Sequence, residues 1–203
     1  MQTNFEGVLD ISLSPFQTKL ACGMTENKCL ILDLGKERMK SIPILSKKLS
    51  GHIYSVNCVH WHPFKSLILS SSLDIHDTIK LWDPHSEQLV LDVNFHSNAT
   101  VTKSVFHPEG NTFFSIGKDN SVYEYEIRFK GYLNKFKLEH EPTDLEVMHN
   151  GNIVIGDSSG TLNWYDRYGK WLKKVEGSSG VVMMTADWSK SILAVARERE
   201  HTF

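Results

Sequence analysis

The sequence predicts an all-β fold made of repeated four-strand units, about four of them complete and a fifth in part. Three observations predict it. A set of residues recurs at offsets of 43 to 48 positions, near the period of about 40–45 residues at which four-strand units stack in repeat proteins. Short runs rich in β-branched and aromatic residues are separated by Gly, Asn, Asp, Ser or Pro, as antiparallel strands joined by tight turns are. Helix caps followed by 3.6-residue apolar periodicity are absent.

The copies follow in order along a single domain, residues 1–203. The first, about 1–50, carries Ser14-Pro15 and closes on Leu30-Ile31-Leu32-Asp33. The second, about 51–95, is the fullest: Gly51-His52, then Val59-His60-Trp61-His62-Pro63, Leu69-Ser70-Ser71-Ser72-Leu73-Asp74 and Ile79-Lys80-Leu81-Trp82-Asp83. In it Leu67, Leu69 and Ser71 alternate with Ile68 and Ser70, and Leu89, Leu91 and Val93 alternate with Val90, Asp92 and Asn94, the period of a strand. The third, about 96–139, repeats the pattern as His96, Val105-Phe106-His107-Pro108, Ser115-Ile116-Gly117-Lys118-Asp119 and Val122-Tyr123-Glu124-Tyr125-Glu126. Its Pro108 follows Pro63 by 45 residues, and its Glu126 follows Asp83 by 43. The fourth, about 140–177, runs from Asn150-Gly151-Asn152 through Gly156-Asp157-Ser158-Ser159-Gly160 to Leu162-Asn163-Trp164-Tyr165-Asp166. A partial fifth, 178–203, opens with Ala186-Asp187-Trp188-Ser189, an echo of Val59-His60-Trp61-His62.

Composition narrows the functional classes. With 23% charged residues, 40% hydrophobic residues and a net charge of −2, the chain is built to fold and has no global basic field for nucleic acid or anionic lipid. Cys22, Cys29 and Cys58 are odd in number and form no CxxC pair, which predicts free thiols in a reducing compartment. The N-terminus has no basic-then-apolar leader, and no run reaches the ~18 apolar residues of a membrane helix, so the expectation is an intracellular protein without a membrane partner. The sequon Asn98-Ala99-Thr100 then reads as an unmodified loop.

The second copy, with 30 residues from His52 to Trp82, resembles a repeat of the WD40 family. That resemblance implies a WD40-type β-propeller of about four complete blades plus part of a fifth, a partial or truncated ring. Such an arc is expected to need another chain or to self-associate, because its edge strands can pair. The family also implies a buried hydrogen-bonded tetrad in each well-formed blade: His52, Ser70, Asp74 and Trp82 in the second, and His96, Ser115, Asp119 and Tyr125 in the third. Two extra residues after Asp74 leave Asp77 as an alternative carboxylate. The first and fourth copies lack most of these residues and are expected to pack with apolar side chains instead.

A narrower resemblance covers residues 49–128. Cys58-Val59-His60-Trp61-His62-Pro63-Phe64-Lys65, the lengthened turn before Ile79-Lys80-Leu81-Trp82-Asp83-Pro84, Phe106-His107-Pro108-Glu109-Gly110-Asn111 and Glu126-Ile127-Arg128 resemble the WD-repeat subunits of eukaryotic cleavage and polyadenylation factors. The resemblance implies a nuclear, non-enzymatic scaffold whose partners are other protein subunits of a multiprotein complex. In that family the RNA-contacting residues lie in a basic, aromatic segment before the propeller. This sequence opens with Phe5-Glu6-Gly7, so its contact with RNA is expected to be indirect. An adaptor for another complex, such as a ubiquitin ligase or trafficking machinery, in nucleus or cytoplasm, is the alternative, and a propeller enzyme is a more distant one.

The residues themselves argue against chemistry. His60 and His62 share a strand face without a third ligand at a metal-binding spacing, and no metal or cofactor is expected. Ser70, His52 and Asp74 are the residue types of a hydrolase triad, but a blade interior offers them neither a cleft nor oxyanion donors. Gly156–Gly160 and Gly177–Gly180 are turns, without the Lys and helix of a phosphate loop. Lys36, Arg38, Lys40, Lys47 and Lys48, and again Lys170, Lys173 and Lys174, read as charges protecting exposed strand edges, with RNA phosphate contact as the alternative. Tyr165, Tyr168 and Trp171 read mostly as blade packing, with a base-stacking platform as the alternative.

Overall fold

The computed structural model describes residues 7–35, 44–76, 79–96, 98–177, 179–186 and 192–197. Asp77, Trp188, Lys36, Arg38 and Lys40 lie outside the described residues. Among the described residues the regular structure is entirely strand. Four four-stranded antiparallel sheets follow in chain order: β1 (Val8–Leu13), β2 (Lys19–Met24), β3 (Lys28–Asp33) and β4 (Ile44–Ser50); β5 (Val56–Trp61), β6 (Ile68–Ser72), β7 (Ile79–Asp83) and β8 (Gln88–Val93); β9 (Val101–Phe106), β10 (Thr112–Gly117), β11 (Ser121–Glu126) and β12 (Tyr132–Lys137); β13 (Pro142–Val147), β14 (Ile153–Asp157), β15 (Leu162–Tyr165) and β16 (Trp171–Val175). A two-stranded sheet, β17 (Val181–Ala186) with β18 (Leu193–Arg197), follows them. No described helix is long and apolar enough to cross a membrane.

Each sheet is a meander, and its first strand lies on the inside. β1, β5, β9, β13 and β17 pack one against the next, so the sheets stand face to face like propeller blades. The middle strands are therefore covered on both faces. Ile68 packs toward the first blade with Ala21, Cys29, Ile31 and Leu49, while its neighbour Leu69 packs toward the third with Phe106, Phe113, Tyr123 and Tyr125. This is why β6 is buried at every position and does not show one wet face. Alternation survives on the outer strand β8, where Leu91 and Val93 are buried and Val90 and Asp92 are not, although Leu89, at the end of the strand, is exposed.

An inner strand is also the edge of its sheet, and its outward N–H groups need acceptors. Side chains from the preceding blade supply them. Asp10 Oδ2 accepts the Val59 N–H (3.0 Å), Ser12 Oγ that of Trp61 (3.1 Å) and Glu146 Oε1 that of Ala186 (3.4 Å), while Asp144 Oδ2 takes the Met184 N–H. The seam holds blade to blade without continuing the sheet.

Among the described residues the row of blades is not closed. Matched through their strand partners, Ile11, Val59, Ser104, Leu145 and Met184 occupy one register position in the five sheets. The last four are at most 3% exposed because each lies against the preceding blade, whereas Ile11, in the first blade, is 59% exposed.

Candidate functional site

The structure brings most of the tetrad residues of the second blade together. His52, in the loop between β4 and β5, places Nε2 2.7 Å from Ser70 Oγ on β6, and the Trp82 indole N–H on β7 donates to the same oxygen at 2.8 Å. An indole nitrogen can only donate, so Ser70 Oγ is the acceptor of that bond and the bridge between the indole and His52 Nε2. Glycine at 51 leaves room for this network, since a Cβ there would stand 2.9 Å from Trp82 Cη2. Asp74 is buried in the same turn, but its Oδ1 accepts the His76 N–H at 2.9 Å, closing a local Asx turn.

In the third blade all four residue types are joined. His96 lies 2.7 Å from Ser115 Oγ through Nε2 and 2.8 Å from Asp119 Oδ1 through Nδ1, and Ser115 Oγ lies 3.2 Å from Tyr125 Oη. Burial works against the Asp119 carboxylate, yet its bonds to His96 and to the Ser121 N–H hold its pKa down to about 2. Tyr125 is fully buried and stacks on Phe113 with ring centroids 4.6 Å apart. Ser70 and Ser115 are both fully buried with their hydroxyls engaged in these bonds. Neither is placed to attack a substrate.

The fourth blade is built differently. Ile155 takes the register position of Ser70 and Ser115, and Tyr165 that of Trp82 and Tyr125. Tyr165 is half-buried against Phe136 (5.2 Å), and burial raises its pKa. Around them opens a groove of about 490 Å³ where the other two blades hold their histidine. The other two aromatics face water, Trp171 at 52% and Tyr168 at 74% exposure, so neither is blade packing.

Two features lay beyond the sequence reading. His62, one residue past β5, turns out of the strand and latches onto the next blade: Nε2–H donates to the Gly110 carbonyl at 2.8 Å, and Nδ1 accepts the N–H groups of Phe64 (3.0 Å) and Lys65 (2.9 Å). His107 sits equivalently against Gly151, where a Cβ would stand 3.1 Å from its Nε2. The signal was the repeated His-Pro and the glycine 48 and 44 residues after each histidine.

Burial lowers the pKa of both rings below the usual 6.5, opposed in His62 by the bond to Gly110. The unfolded chain therefore binds more protons than the folded one as pH falls below about 6.5, and stability is lost in that direction. Denaturant melts at about pH 7.5 and pH 5.5 are expected to show this loss. His62→Gln is expected to flatten it, while being less stable at the higher pH.

The second feature is Lys103. It shares one register position with Asp10, Cys58, Asp144 and Met183. Its Nζ lies 3.5 Å from Asp10 Oδ2 and 4.0 Å from Asp144 Oδ1. As a cation it cannot accept the Leu145 N–H across the seam, and Asp144 Oδ1 takes that N–H itself at 2.9 Å. Burial disfavours the ammonium, but the Cys58 sulfur, which carries charge only at high pH, and after it Asp144, Asp10 and Glu146 outweigh burial and raise its pKa. Burial pushes the neighbouring Cys58 thiol up to about 11, so it stays neutral.

Comparison with known proteins agrees with this geometry. Residues 44–83 match the family model for the WD domain, G-beta repeat. The match runs from β4 to β7, so one sequence repeat joins the outer strand of one blade to three strands of the next. The chain is 37% identical over 62 residues, 30% of its length, to polyadenylation factor subunit 2 of Gibberella zeae, covering 10% of that protein. It is 26% identical over 78% of its length to the guanine nucleotide-binding protein subunit beta of Saccharomyces cerevisiae, covering 38% of it. It is 29% identical over 77% of its length to pre-mRNA-processing factor 19 of Bos taurus, covering 30% of it. The chain thus spans well under half the length of these relatives. Residues 44–83 therefore match a WD repeat, the four successive sheets are arranged as WD40-type β-propeller blades in a row that is not closed among the described residues, and the chain resembles the polyadenylation factor subunit over part of its length.

Proposed function

We propose that the chain is a non-enzymatic scaffold in a multiprotein complex, that of nuclear pre-mRNA 3′-end cleavage and polyadenylation. The observation that carries this reading is the 37% identity over 62 residues to polyadenylation factor subunit 2, higher than the 26% and 29% found over longer stretches of the other two relatives. The likeness to pre-mRNA-processing factor 19 supports the broader assignment to mRNA processing. Buried polar networks fix the second and third blades, and a rigid support that presents loops and outer strands suits assembly. The hydroxyl a hydrolase would use, that of Ser70, is spent on Trp82 and His52, which favours a structural role for the tetrads. Partners on this reading are protein subunits, with RNA reached through them.

Affinity purification of the endogenous protein from nuclear extract, with mass spectrometry, is expected to recover 3′-end cleavage and polyadenylation subunits. Recovery of a splicing, ubiquitin-ligase or trafficking assembly without them would overturn the assignment.

A further inference from the structure

We infer that the row of blades has a joint at the seam between the third and fourth blades, where it opens most readily. The first three blades move as one unit, and the fourth blade with β17 and β18 as the other. This joint is a property of the fold and does not depend on the scaffold reading.

The other three seams are bonded onto the backbone of an inner strand. At the first, Asp10 and Ser12 accept the N–H groups of Val59 and Trp61. At the second, Asn57 Nδ2 donates to the carbonyls of Val101 (2.9 Å) and Thr102 (3.0 Å), the Cys58 thiol to that of Ser104 (3.4 Å), and the Phe106 N–H points at His60 Nδ1 (3.5 Å). At the last, Asp144 and Glu146 accept the N–H groups of Met184 and Ala186. To the same two register positions the third blade brings Lys103 and Val105. An ammonium and a branched alkyl chain accept nothing, and the Leu145 N–H turns to Asp144 of its own strand.

The ties that cross this seam are mostly ionic. Arg167, in the turn before β16, reaches Glu124 on β11, Lys103 Nζ lies 4.0 Å from Asp144 Oδ1, and Lys118 Nζ lies 3.6 Å from Glu141 Oε1. Asn134 Nδ2 adds one neutral bond, to the Arg167 carbonyl at 3.0 Å. Apolar packing does not set the seam apart, since buried clusters fill the first three seams alike. Ion pairs on long side chains tolerate movement and weaken with salt.

The seam is also hollow at both ends. A groove of about 490 Å³ lies between Leu138 and the pair Ile155 and Tyr165, and one of about 280 Å³ between His107 and Asn150. Space at both ends suits a small sliding of one packed layer past another. The fifth sheet travels with the fourth blade, because Arg197 on β18 holds the Gly160 carbonyl as Asp144 and Glu146 hold β17.

Thiol labelling of the folded protein reads the seams separately. Cys29 faces the first seam and Cys58 the second, both buried, and Val147→Cys puts a reporter in the third. With an aromatic disulfide reagent and mass spectrometry, Val147→Cys is expected to react at least about tenfold faster than Cys29 and Cys58. Raising salt from about 0.05 to 0.5 M is expected to speed that thiol and leave the other two unchanged. Val105→Thr, which gives the third blade a hydroxyl where the first has Ser12, is expected to slow it. Ile153→Cys reports on the same seam should melts show that Val147→Cys does not fold. Equal rates at the three seams, a faster Cys29 or Cys58, or a seam thiol indifferent to both salt and Val105→Thr would overturn the inference.

Discussion

Trp82→Ala is expected to destabilise the protein by about 3–5 kcal/mol, the cost of deleting a large buried aromatic residue. The indole is 3% exposed and packs with Trp61, Val59 and Ile68, so its loss opens a void between the first and second blades. It also removes the donor that fixes Ser70, and a buried hydroxyl with a partner missing costs about 1–3 kcal/mol more where no water replaces it. Against a whole-domain stability of about 5–15 kcal/mol, that is a severe change. Tyr165→Ala is the internal control. Tyr165 holds the same register position in the fourth blade but is half-buried on an open groove, so its removal is expected to cost clearly less. Parallel denaturant melts decide between them, and a larger loss for Tyr165→Ala would show that the His52, Ser70 and Trp82 network does not anchor its blade.

The repeat was legible because it is written in strand endings and turns. The offsets marked by Pro63 and Pro108, and by Asp83 and Glu126, place four-stranded sheets correctly. The grouping of His52 with Ser70 and Trp82, and of His96 with Ser115, came from the WD40 resemblance and not from spacing alone, and in the structure these side chains lie within hydrogen-bond distance. The Asp74 bond to His76 was not legible, since a turn carboxylate has a backbone N–H two residues away competing for it. Lys103 and its row were hidden for another reason. Register shifts interrupt β1, β5, β9 and β13 beside this position, so simple counting misaligns Asp10, Cys58, Lys103 and Asp144. The groove was hidden because it is an absence: the lost histidine and serine of the fourth copy predict apolar packing, and Ile155 packs, but nothing in the sequence says that the remaining space stays open.

Lys103→Met tests the inner row, and its expected effect is comparable to that of Trp82→Ala. The ammonium is the cation that faces Asp10, Asp144 and Glu146, carried on the first, fourth and fourth blades. Removing one member of a buried charged set leaves the others uncompensated, typically at about 3–5 kcal/mol. Partial exposure of Lys103 and Asp10 places this protein toward the lower end. The sign of the pH dependence separates this from a packing loss. Burial already raises the pKa of Asp144, with Lys103 the main opposing influence, and without the lysine the carboxyl rises further. A carboxyl whose pKa is higher folded than unfolded binds its proton more readily in the folded state, so its penalty is full above the folded pKa and is relieved as pH falls toward the unfolded value near 3.9. Lys103→Met is therefore expected to be strongly destabilised at about pH 7 and to recover part of the difference from the parent by about pH 5. A deficit that stays constant between those two conditions would mean that Lys103 matters for its methylenes and not for its charge. The two carboxylates would then be held by the Val59, Leu145 and Met184 N–H groups without it.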